Sequence, residues 1–353
     1  MGIDINDTAA LTQADTQQLL AQLGQCGDLC RQGLDQAQGL PVSSLGRPID
    51  EIVLCSVGGG PVAALRQVKS MLSDTARVPV ILHQAYHMPA YVDANSLVFI
   101  VNYSGGSEEM ASACRSAIEA GANVAAMTAG GVIADLVKER GGLFFPLPAG
   151  KIPRLISTSH VLIPLLVILH RMGLIPDPAS DISETIALMP MLASSYGPAS
   201  TIENNLAKQL AAEWQGQIPI VYGTLPFTDS AAYRLKYQLA ENGGRMAFAN
   251  AMSALHHDEA YGWDEAGMDR FHVTLISDAE DHERMSRRIE ATAEVLGSRA
   301  GAVHVVRSRG ESRLSRLCSL THLFDYATVY DSLLRVNPDK GKALNEFRAA
   351  FNR

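Results

Sequence analysis

A chain of 353 residues is longer than a single hydrophobic core usually serves, so its length favours two domains of ordinary size. With 47% hydrophobic and 19% charged residues, the composition is that of a well-packed globular protein and excludes extended disorder away from the termini. A net charge of -8 without a basic stripe excludes a nucleic-acid partner, because binding to a phosphate backbone requires clustered lysine and arginine.

The apolar runs and the cysteines indicate a reducing, aqueous compartment. The longest apolar run, residues 162–169, is interrupted by Pro164 and is too short to cross a bilayer, so no membrane partner is expected. Five cysteines, an odd number, without an apparent secretion signal predict reduced thiols and a cytoplasmic location. Cys26 and Cys30 lie in a helical pattern without a second ligand pair nearby, which favours helix residues over a metal site.

The first half of the chain predicts a doubly wound sheet. Residues 8–40 have a helical, intermittently apolar pattern and are interpreted as a leading helical segment. Short buried-strand patterns then alternate with amphipathic helices and Gly-rich turns, which predicts parallel strands joined by crossovers. The predicted strands cover residues 51–55, 78–82, 96–102, 123–128 and 143–147.

The second half repeats this alternation more weakly. A long helix predicted at 155–172 and a breaker-rich linker at 176–180 separate the halves. The next predicted strands cover residues 218–223, 246–249, 271–276 and 303–306, and the helices cover 202–214, 229–241, 281–296 and 316–334. The sequence therefore predicts an α/β protein with an N-terminal helical segment (1–45), two domains (46–176 and 177–336) and a C-terminal helix (337–353).

Residues 104–109, Ser-Gly-Gly-Ser-Glu-Glu, follow the third predicted strand and precede a helix. This is the edge at which open parallel sheets bind ligands. The hydroxyls of Ser104 and Ser107, the flexible Gly105 and the free amides of a helix start would receive a phosphate dianion. An ordinary turn, in which Ser107 caps the helix, explains the same residues equally well.

The first glycine turn, formed by Gly58, Gly59 and Gly60, fits the start of a dinucleotide-binding fingerprint, which would indicate a dehydrogenase. The ribose site of that fingerprint requires an acidic residue at the end of the second strand, where this sequence has His83 and Gln84. The glycines are therefore interpreted as a place where backbone amides approach a small anion, and no cofactor is expected.

Three further positions carry side chains that could act on a bound ligand. Arg154, beside Pro153 at a helix start, could pair with phosphate, with a developing enediolate or equally with a surface carboxylate. Residues 256–259, His-His-Asp-Glu, predict a loop in which a carboxylate moves a proton between adjacent carbons. A metal site there is the weaker alternative, since adjacent histidines on an extended segment point apart. His282, at a predicted helix start, is a further imidazole or a solvated one.

Taken in order, these motifs resemble those of the bifunctional phosphoglucose/phosphomannose isomerases of the sugar isomerase (SIS) domain superfamily, over nearly the whole chain. Six motifs carry the resemblance: residues 56–60, residues 103–109, Pro153-Arg154, the set Arg234, Lys236, Glu241 and Asn242, residues 256–259, and Asn337-Pro338. The resemblance implies two SIS-type doubly wound parallel-sheet domains, each a three-layer αβα arrangement, with N- and C-terminal helices.

The resemblance also implies roles for single residues. Glu259 would be the base that moves a proton between C2 and C1 through a cis-enediol, and His282 would assist ring opening from the partner subunit of a homodimer. Arg154 would stabilise the enediolate, while Arg348 stands where the terminal helix usually has a lysine. The substrate would be of the glucose 6-phosphate, mannose 6-phosphate or fructose 6-phosphate type and would bind without a metal. Its phosphate would be held by Gly58, Gly59, Gly60, Ser104, Gly105 and Ser107.

Several residues depart from the family pattern, among them residues 256–258, which are His-His-Asp where the family has Asn-His-Asn. Met110 replaces the third hydroxyl of the phosphate loop, and Gly60 replaces the serine that often ends the glycine turn. Arg348 can orient a sugar oxygen but cannot release its proton as a lysine could. Two alternatives to an isomerase therefore stay open: a related phosphosugar enzyme such as a deglycase, and a non-catalytic phosphosugar sensor, which would not need Glu259.

Overall fold

The structure is a computed structural model that describes residues 3–42, 48–335 and 339–351. It contains two compact units, each with its own parallel sheet. The first-sheet unit comprises Cys26–Leu188 and Gly310–Cys318, and the second-sheet unit comprises Met1–Gln25, Met189–Arg309 and Ser319–Arg353. The predicted α/β class with two doubly wound parallel sheets is confirmed. The predicted domain limits at residues 45, 176 and 336 stay predictions.

Three helices replace the single leading segment predicted at 8–40: α1 (Thr8–Ala14), α2 (Leu19–Gly24) and α3 (Cys26–Gly39). The break after α1 is made by Asp15, whose buried carboxylate accepts hydrogen bonds from the amides of Leu19 (2.9 Å) and Leu20 (2.7 Å). Because these amides at the start of α2 have no partner within the helix, the carboxylate stabilises a new helix start at this point.

Five parallel strands form the first sheet in the order β2-β1-β3-β4-β5. They are β1 (Glu51–Cys55), β2 (Val80–His83), β3 (Ser96–Val101), β4 (Asn123–Thr128) and β5 (Leu143–Pro146). All five predicted strands are confirmed to within two residues. The central strand β3 is buried along its whole length, as its continuous apolar run predicts.

The helices of the first-sheet unit follow the strands. After α3 they are α4 (Gly59–Leu72), α5 (Glu108–Glu119), α6 (Gly131–Glu139), α7 (Pro153–Ser157) and α8 (Ile163–Arg171). A π-helical turn, Thr158–Leu162, joins α7 to α8 just before Pro164, which lacks an N–H for the preceding turn. The run Pro153–Arg171 is long and apolar enough to cross a membrane, but its most apolar window is 83% buried within the protein, as in a core helix.

The next helix is α9 (Ala179–Tyr196). The sequence predicts a linker at 176–180 and no helix between this linker and residue 202, and this prediction is wrong. The breaker residues begin the helix instead of ending one, because Asp177 accepts a hydrogen bond from the amide of Ala179 (2.9 Å). Pro190 lies inside α9 and leaves one carbonyl of the preceding turn without its intrahelical donor.

Four parallel strands form the second sheet in the order β7-β6-β8-β9. They are β6 (Ile218–Gly223), β7 (Phe248–Ala251), β8 (Phe271–Ser277) and β9 (Ala302–Arg307). The helices of this part are α10 (Leu206–Glu213), α11 (Asp229–Gly243), α12 (Met252–His257), α13 (Glu283–Gly297), α14 (Arg313–Leu334) and α15 (Lys342–Phe351), with single 3-10 turns at Ile202–Asn204, Glu259–Gly262 and Met268–Arg270. Strand β7 begins two residues later than predicted.

A buried polar cluster fastens α11 to α14. Arg234, which is fully buried, donates two hydrogen bonds to the carboxylate of Asp325 (2.9 and 2.8 Å), and Gln238 donates a third (2.6 Å). One helical turn further on, Asn242 donates to Thr328 (2.9 Å). Two residues of the motif at 234–242 therefore hold the helices of the second-sheet unit together.

Candidate active site

The strand order of the first sheet reverses between β1 and β3, so a crevice opens at the carboxyl ends of these two strands. The Gly58 turn follows β1 and the loop at residues 103–107 follows β3. The structure thus brings the two predicted phosphate-binding turns to the same edge of the first sheet.

The predicted phosphate loop, residues 103–107, is supported by the loop after β4. The Tyr103 carbonyl accepts from the amide of Ala129 (2.9 Å), and the Gly105 carbonyl accepts from the amide of Ile133 (3.1 Å). Gly105 has φ +67°, and a Cβ at this position would lie 1.6 Å from the carbonyl oxygen of Gly130. Only glycine fits this contact. Sequence analysis does not predict the supporting loop, although the pair Gly130-Gly131 after a strand is a recognisable turn signal.

Ser107 lies at the N-cap position of α5 with an extended backbone but donates or accepts no side-chain capping hydrogen bond. Its Oγ is buried and has no hydrogen-bond partner among the described residues. Ser104 is exposed, donates to Asn102 (3.2 Å) and accepts from the amide of Gly106 (3.3 Å). A hydroxyl without a partner at the start of a 12-residue helix is suited to an anion, and the competing interpretation as an ordinary cap lacks its hydrogen bond.

The glycine turn and Arg154 lie against each other. Gly58 has φ +86° and precedes α4, and a Cβ on Gly60 would lie 3.1 Å from the Cα of Arg154, at the start of α7. A serine at position 60 would require the two helix starts to move apart by a few tenths of an ångström. The glycine that departs from the family pattern therefore allows Arg154 its close approach to the turn.

Glu259 does not lie on the predicted loop, and that part of the prediction is wrong. Helix α12 runs through both histidines, and Glu259 begins a 3-10 turn, Glu259–Gly262, whose first amide donates to Asp258 (2.6 Å). The segment is ordered by helix and turn hydrogen bonds, and Asp258 satisfies the amide that the start of the 3-10 turn leaves free.

Both oxygens of the Glu259 carboxylate accept a hydrogen bond. The hydroxyl of Tyr222 donates to Oε2 (2.6 Å), and Nδ2 of Asn250 donates to Oε1 (2.5 Å). Tyr222 and Asn250 are paired neighbours on the parallel strands β6 and β7, so their side chains leave the sheet on the same side. Burial, and then the carboxylate of Glu259, raise the pKa of Tyr222, so the phenol stays a donor at any working pH. Sequence analysis predicts neither donor.

The Glu259 carboxylate also lines a pocket of about 460 Å³ in the second-sheet unit. Besides Glu259 and its two donors, the walls of this pocket include Lys236, Trp263, Met268 and Phe271. Lys236 belongs to the motif at 234–242, and it differs from Arg234 and Asn242 in that its side chain is only half-buried and faces this pocket.

The two histidines beside Glu259 do not form a metal site in the described part of the chain, where no group of three or more metal-binding side chains occurs. His257 is exposed. His256 contacts Thr292 Oγ1 on α13 (2.8 Å). Burial, followed by the charge of Arg288, lowers the pKa of His256.

His282 occupies the N-cap position of α13, as predicted. Its Nδ1 accepts from the amide of Arg284 (3.1 Å), which leaves Nε2 protonated and directed to solvent on an exposed side chain. Arg348 lies on α15, where every described residue is exposed. Neither side chain contacts Glu259 within the described chain. Asn337 and Pro338, quoted for the resemblance, lie outside the described residues.

A protein named bifunctional phosphoglucose/phosphomannose isomerase, from Caldicellulosiruptor bescii, is 32% identical to this chain over 302 residues, which cover 85% of the chain and 88% of that relative. This chain belongs to that family. Another protein of the same name, from Thermoplasma acidophilum, is 31% identical over 84% of this chain and 88% of its own length. Residues 203–351 match the family described as bacterial phospho-glucose isomerase C-terminal SIS domain. The resemblance inferred from the six motifs is confirmed.

Solved structures share the fold at low identity. The C-terminal domain of glucosamine-fructose-6-phosphate aminotransferase from Francisella tularensis superposes with a TM-score of 0.68 at 13% identity, covering 90% of this chain and 95% of that one. A glucose-6-phosphate isomerase like protein from Thermus thermophilus superposes with a TM-score of 0.59 at 17% identity, covering 98% and 99%.

One departure from the phosphoglucose/phosphomannose isomerase pattern has a clear structural account. Met110, at the position of the third phosphate-loop hydroxyl, is fully buried and packs in the core of the first-sheet unit. It cannot contact a ligand at the sheet edge. The loop of this phosphoglucose/phosphomannose isomerase homologue therefore offers two serine hydroxyls and its backbone amides.

Proposed function

We propose that this chain interconverts the aldose and ketose forms of a hexose 6-phosphate, of the glucose 6-phosphate or mannose 6-phosphate to fructose 6-phosphate type, through a cis-enediol. Membership of the phosphoglucose/phosphomannose isomerase family supports the reaction class. The observation that carries the proposal is the Glu259 carboxylate, fixed by hydrogen bonds to both of its oxygens. A phosphosugar sensor needs no base held in this way.

Each residue has a proposed step. The amides of the Gly58, Gly59 and Gly60 turn, with Ser104, Gly105 and Ser107, bind the phosphate, because a helix start and the unpartnered hydroxyl of Ser107 favour a dianion. Glu259 takes the proton from C2 of the open-chain aldose and returns it to C1 of the enediol, so the carboxylate is regenerated. Arg154 offsets the negative charge on the enediolate oxygen. Arg348, which cannot release a proton, orients a sugar oxygen.

The assay that tests the function is a coupled measurement over a panel of aldose and ketose phosphates, with and without EDTA. We expect turnover of at least one hexose 6-phosphate, unchanged by EDTA because the proposed steps use only side chains of the chain. Turnover of phosphorylated amino-sugar conjugates alone would favour the deglycase alternative. Binding of phosphosugars without turnover of any of them would favour the sensor.

We further propose a cytoplasmic homodimer with shared active sites. The exposed position of His282, away from Glu259 in its own chain, supports a partner subunit that supplies the imidazole for ring opening. Cytoplasmic location is supported by the five buried cysteines, none of which forms a disulfide among the described residues. Inactive Glu259→Gln and His282→Ala protomers, mixed and reassociated, should regain part of the activity, whereas unshared sites would leave the mixture inactive.

Ser107→Ala is expected to raise the KM for the phosphosugar about tenfold with little change in kcat, as loss of a ground-state phosphate contact does. Because the hydroxyl has no partner in the free protein, the melting temperature should not fall. A serine whose hydroxyl caps the helix with a hydrogen bond would behave differently, since its replacement by alanine costs about 1 kcal/mol of stability. Ser112→Ala, on the same helix α5, is the matched control. An unchanged KM together with a lower melting temperature would support the cap.

Tyr222→Phe is expected to lower kcat by about tenfold, because the phenol donates one of the two hydrogen bonds that hold the Glu259 carboxylate in place. Tyr261→Phe, two residues after Glu259 with a side chain that is 87% exposed, is the control and should leave kcat unchanged. A kcat that stays at the wild-type value while only stability falls would reduce Tyr222 to a packing role.

A further inference from the structure

The second-sheet unit has another cavity, on the far side of the segment that carries Glu259. This cavity, the Arg288 groove, has a volume of about 450 Å³ and lies between α13 and the segment formed by α12 and the turn Glu259–Gly262. Its apolar wall consists of the buried side chains of Leu255, Trp263 and Leu296. A groove of this size that combines an apolar wall with polar and charged side chains has the general properties of a small-molecule site.

Two arginines line the groove, and their charges are compensated differently. Arg299 donates to Asp264 (3.1 Å) and to the carbonyl of Val295 (2.8 Å). Arg288 contacts only the ring of His256 (3.4 Å) and has no carboxylate partner among the described residues. Because a guanidinium is always charged at physiological pH, Arg288 supplies an uncompensated positive charge at the edge of an apolar surface.

The ring of His256 is held so that it does not add a second charge. Thr292 Oγ1 donates to the carbonyl of Arg288 (2.6 Å) and therefore accepts from His256 Nε2 (2.8 Å), which leaves Nδ1 unprotonated and facing the guanidinium. Burial, then Arg288, then His257 lower the pKa of His256. The groove thus presents one uncompensated cation, the Arg299–Asp264 ion pair, one neutral imidazole and an apolar wall.

We propose that the Arg288 groove binds a small amphipathic carboxylate, with its anionic end on Arg288 and its apolar body against Trp263 and Leu296. A guanidinium with free donors recognises a carboxylate, and the apolar wall favours a hydrocarbon body over a sugar. Ala260 and Trp263 line this groove, and Trp263 also lines the Glu259 pocket, so the ligand contacts the segment that carries the proposed base. The binding itself is independent of the proposed isomerase reaction.

Fluorescence titration of the full chain with 4-phenylbutyrate tests the proposal. The chain has two tryptophans, and Trp214 is fully buried elsewhere, so Trp263 is expected to carry the ligand-dependent signal, which Trp263→Phe should abolish. We expect saturable binding, about tenfold tighter than that of the neutral isostere 4-phenylbutanol, and about tenfold weaker binding by Arg288→Gln. Arg287→Gln is the matched control, because Arg287 is a neighbouring exposed arginine of α13 that pairs with Glu283 and does not line the groove.

Equal affinity for the alcohol and the carboxylate, or unchanged binding in Arg288→Gln, would overturn the proposal. If a second copy of the chain covers the groove instead, 4-phenylbutyrate binding will weaken as the protein concentration rises, and Arg288→Gln will change the sedimentation behaviour; this outcome also overturns it. No enzymatic activity enters these measurements, so failure of the proposed isomerase function would leave their result unaffected.

Discussion

Replacing Glu259 with glutamine is expected to lower kcat by on the order of 10² to 10⁴, because a positioned base contributes about that factor to proton abstraction next to a carbonyl. Glutamine keeps the shape of the side chain and can still accept the hydrogen bond from Tyr222 or that from Asn250 through its one carbonyl oxygen. Since Glu259 is not one of the proposed phosphate-binding residues, KM should change little.

Solvent deuterium uptake at C1 or C2 of the sugar phosphate measures this prediction directly, since a base that moves the proton exchanges it with water. Wild-type protein should incorporate deuterium, and Glu259→Gln should incorporate it more slowly by the same factor as its loss in kcat. Glu265→Gln, an exposed carboxylate on the same pocket, serves as control and should behave as wild type. Equal uptake by wild type and Glu259→Gln would remove Glu259 from the mechanism.

The second large effect is on stability. Asp325→Ala leaves the guanidinium of Arg234, a fully buried side chain, without its carboxylate, and such an uncompensated buried charge costs about 3–5 kcal/mol of unfolding free energy. Urea unfolding followed by tryptophan fluorescence reports on the second-sheet unit, because both tryptophans, Trp214 and Trp263, belong to it.

Two variants make the result interpretable. Asp264→Ala breaks an exposed ion pair with Arg299 and is expected to cost less than about 1 kcal/mol. The double replacement Arg234→Met with Asp325→Leu removes both charges and should recover much of the loss, since apolar pairs of similar volume often match a buried ion pair. A loss in Asp325→Ala no larger than that in Asp264→Ala would show that the buried pair contributes little.

The strands of the first sheet could be predicted because they are continuous apolar runs bounded by turn residues, as Ser96–Val101 illustrates. The shifted strand β7 and the unpredicted helix α9 have different causes. Phe248 lies on an edge strand whose side chains alternate between exposed and half-buried, and its register depends on pairing with β6 rather than on an apolar run. Helix α9 could not be predicted because the prolines of the preceding segment indicate a linker, whereas Asp177 between them caps the start of the helix.

The residues of the candidate site likewise fall into those that the sequence predicts and those that it does not. Ser104, Ser107 and Glu259 could be predicted because their chemistry is local and their motifs are contiguous in the sequence. Tyr222 and Asn250 could not, since they meet Glu259 only through the pairing of β6 with β7, across 28 positions of the chain. Gly105 was predicted as a flexible residue, whereas its requirement for glycine comes from contact with Gly130 in another loop.

The second-sheet unit contains both early and late parts of the chain, so residues that contact each other within it are synthesised at different times. Helices α1 and α2 belong to the second-sheet unit, where Asn6 accepts from the amide of Ile202 (2.8 Å) and Thr8 donates to the carbonyl of Pro198 (3.0 Å). At a synthesis rate of about 5–20 residues per second, these partners emerge roughly ten seconds or more after the helices that need them. All five strands of the first sheet, the last of which ends at Pro146, are therefore synthesised before the partners of Asn6 and Thr8.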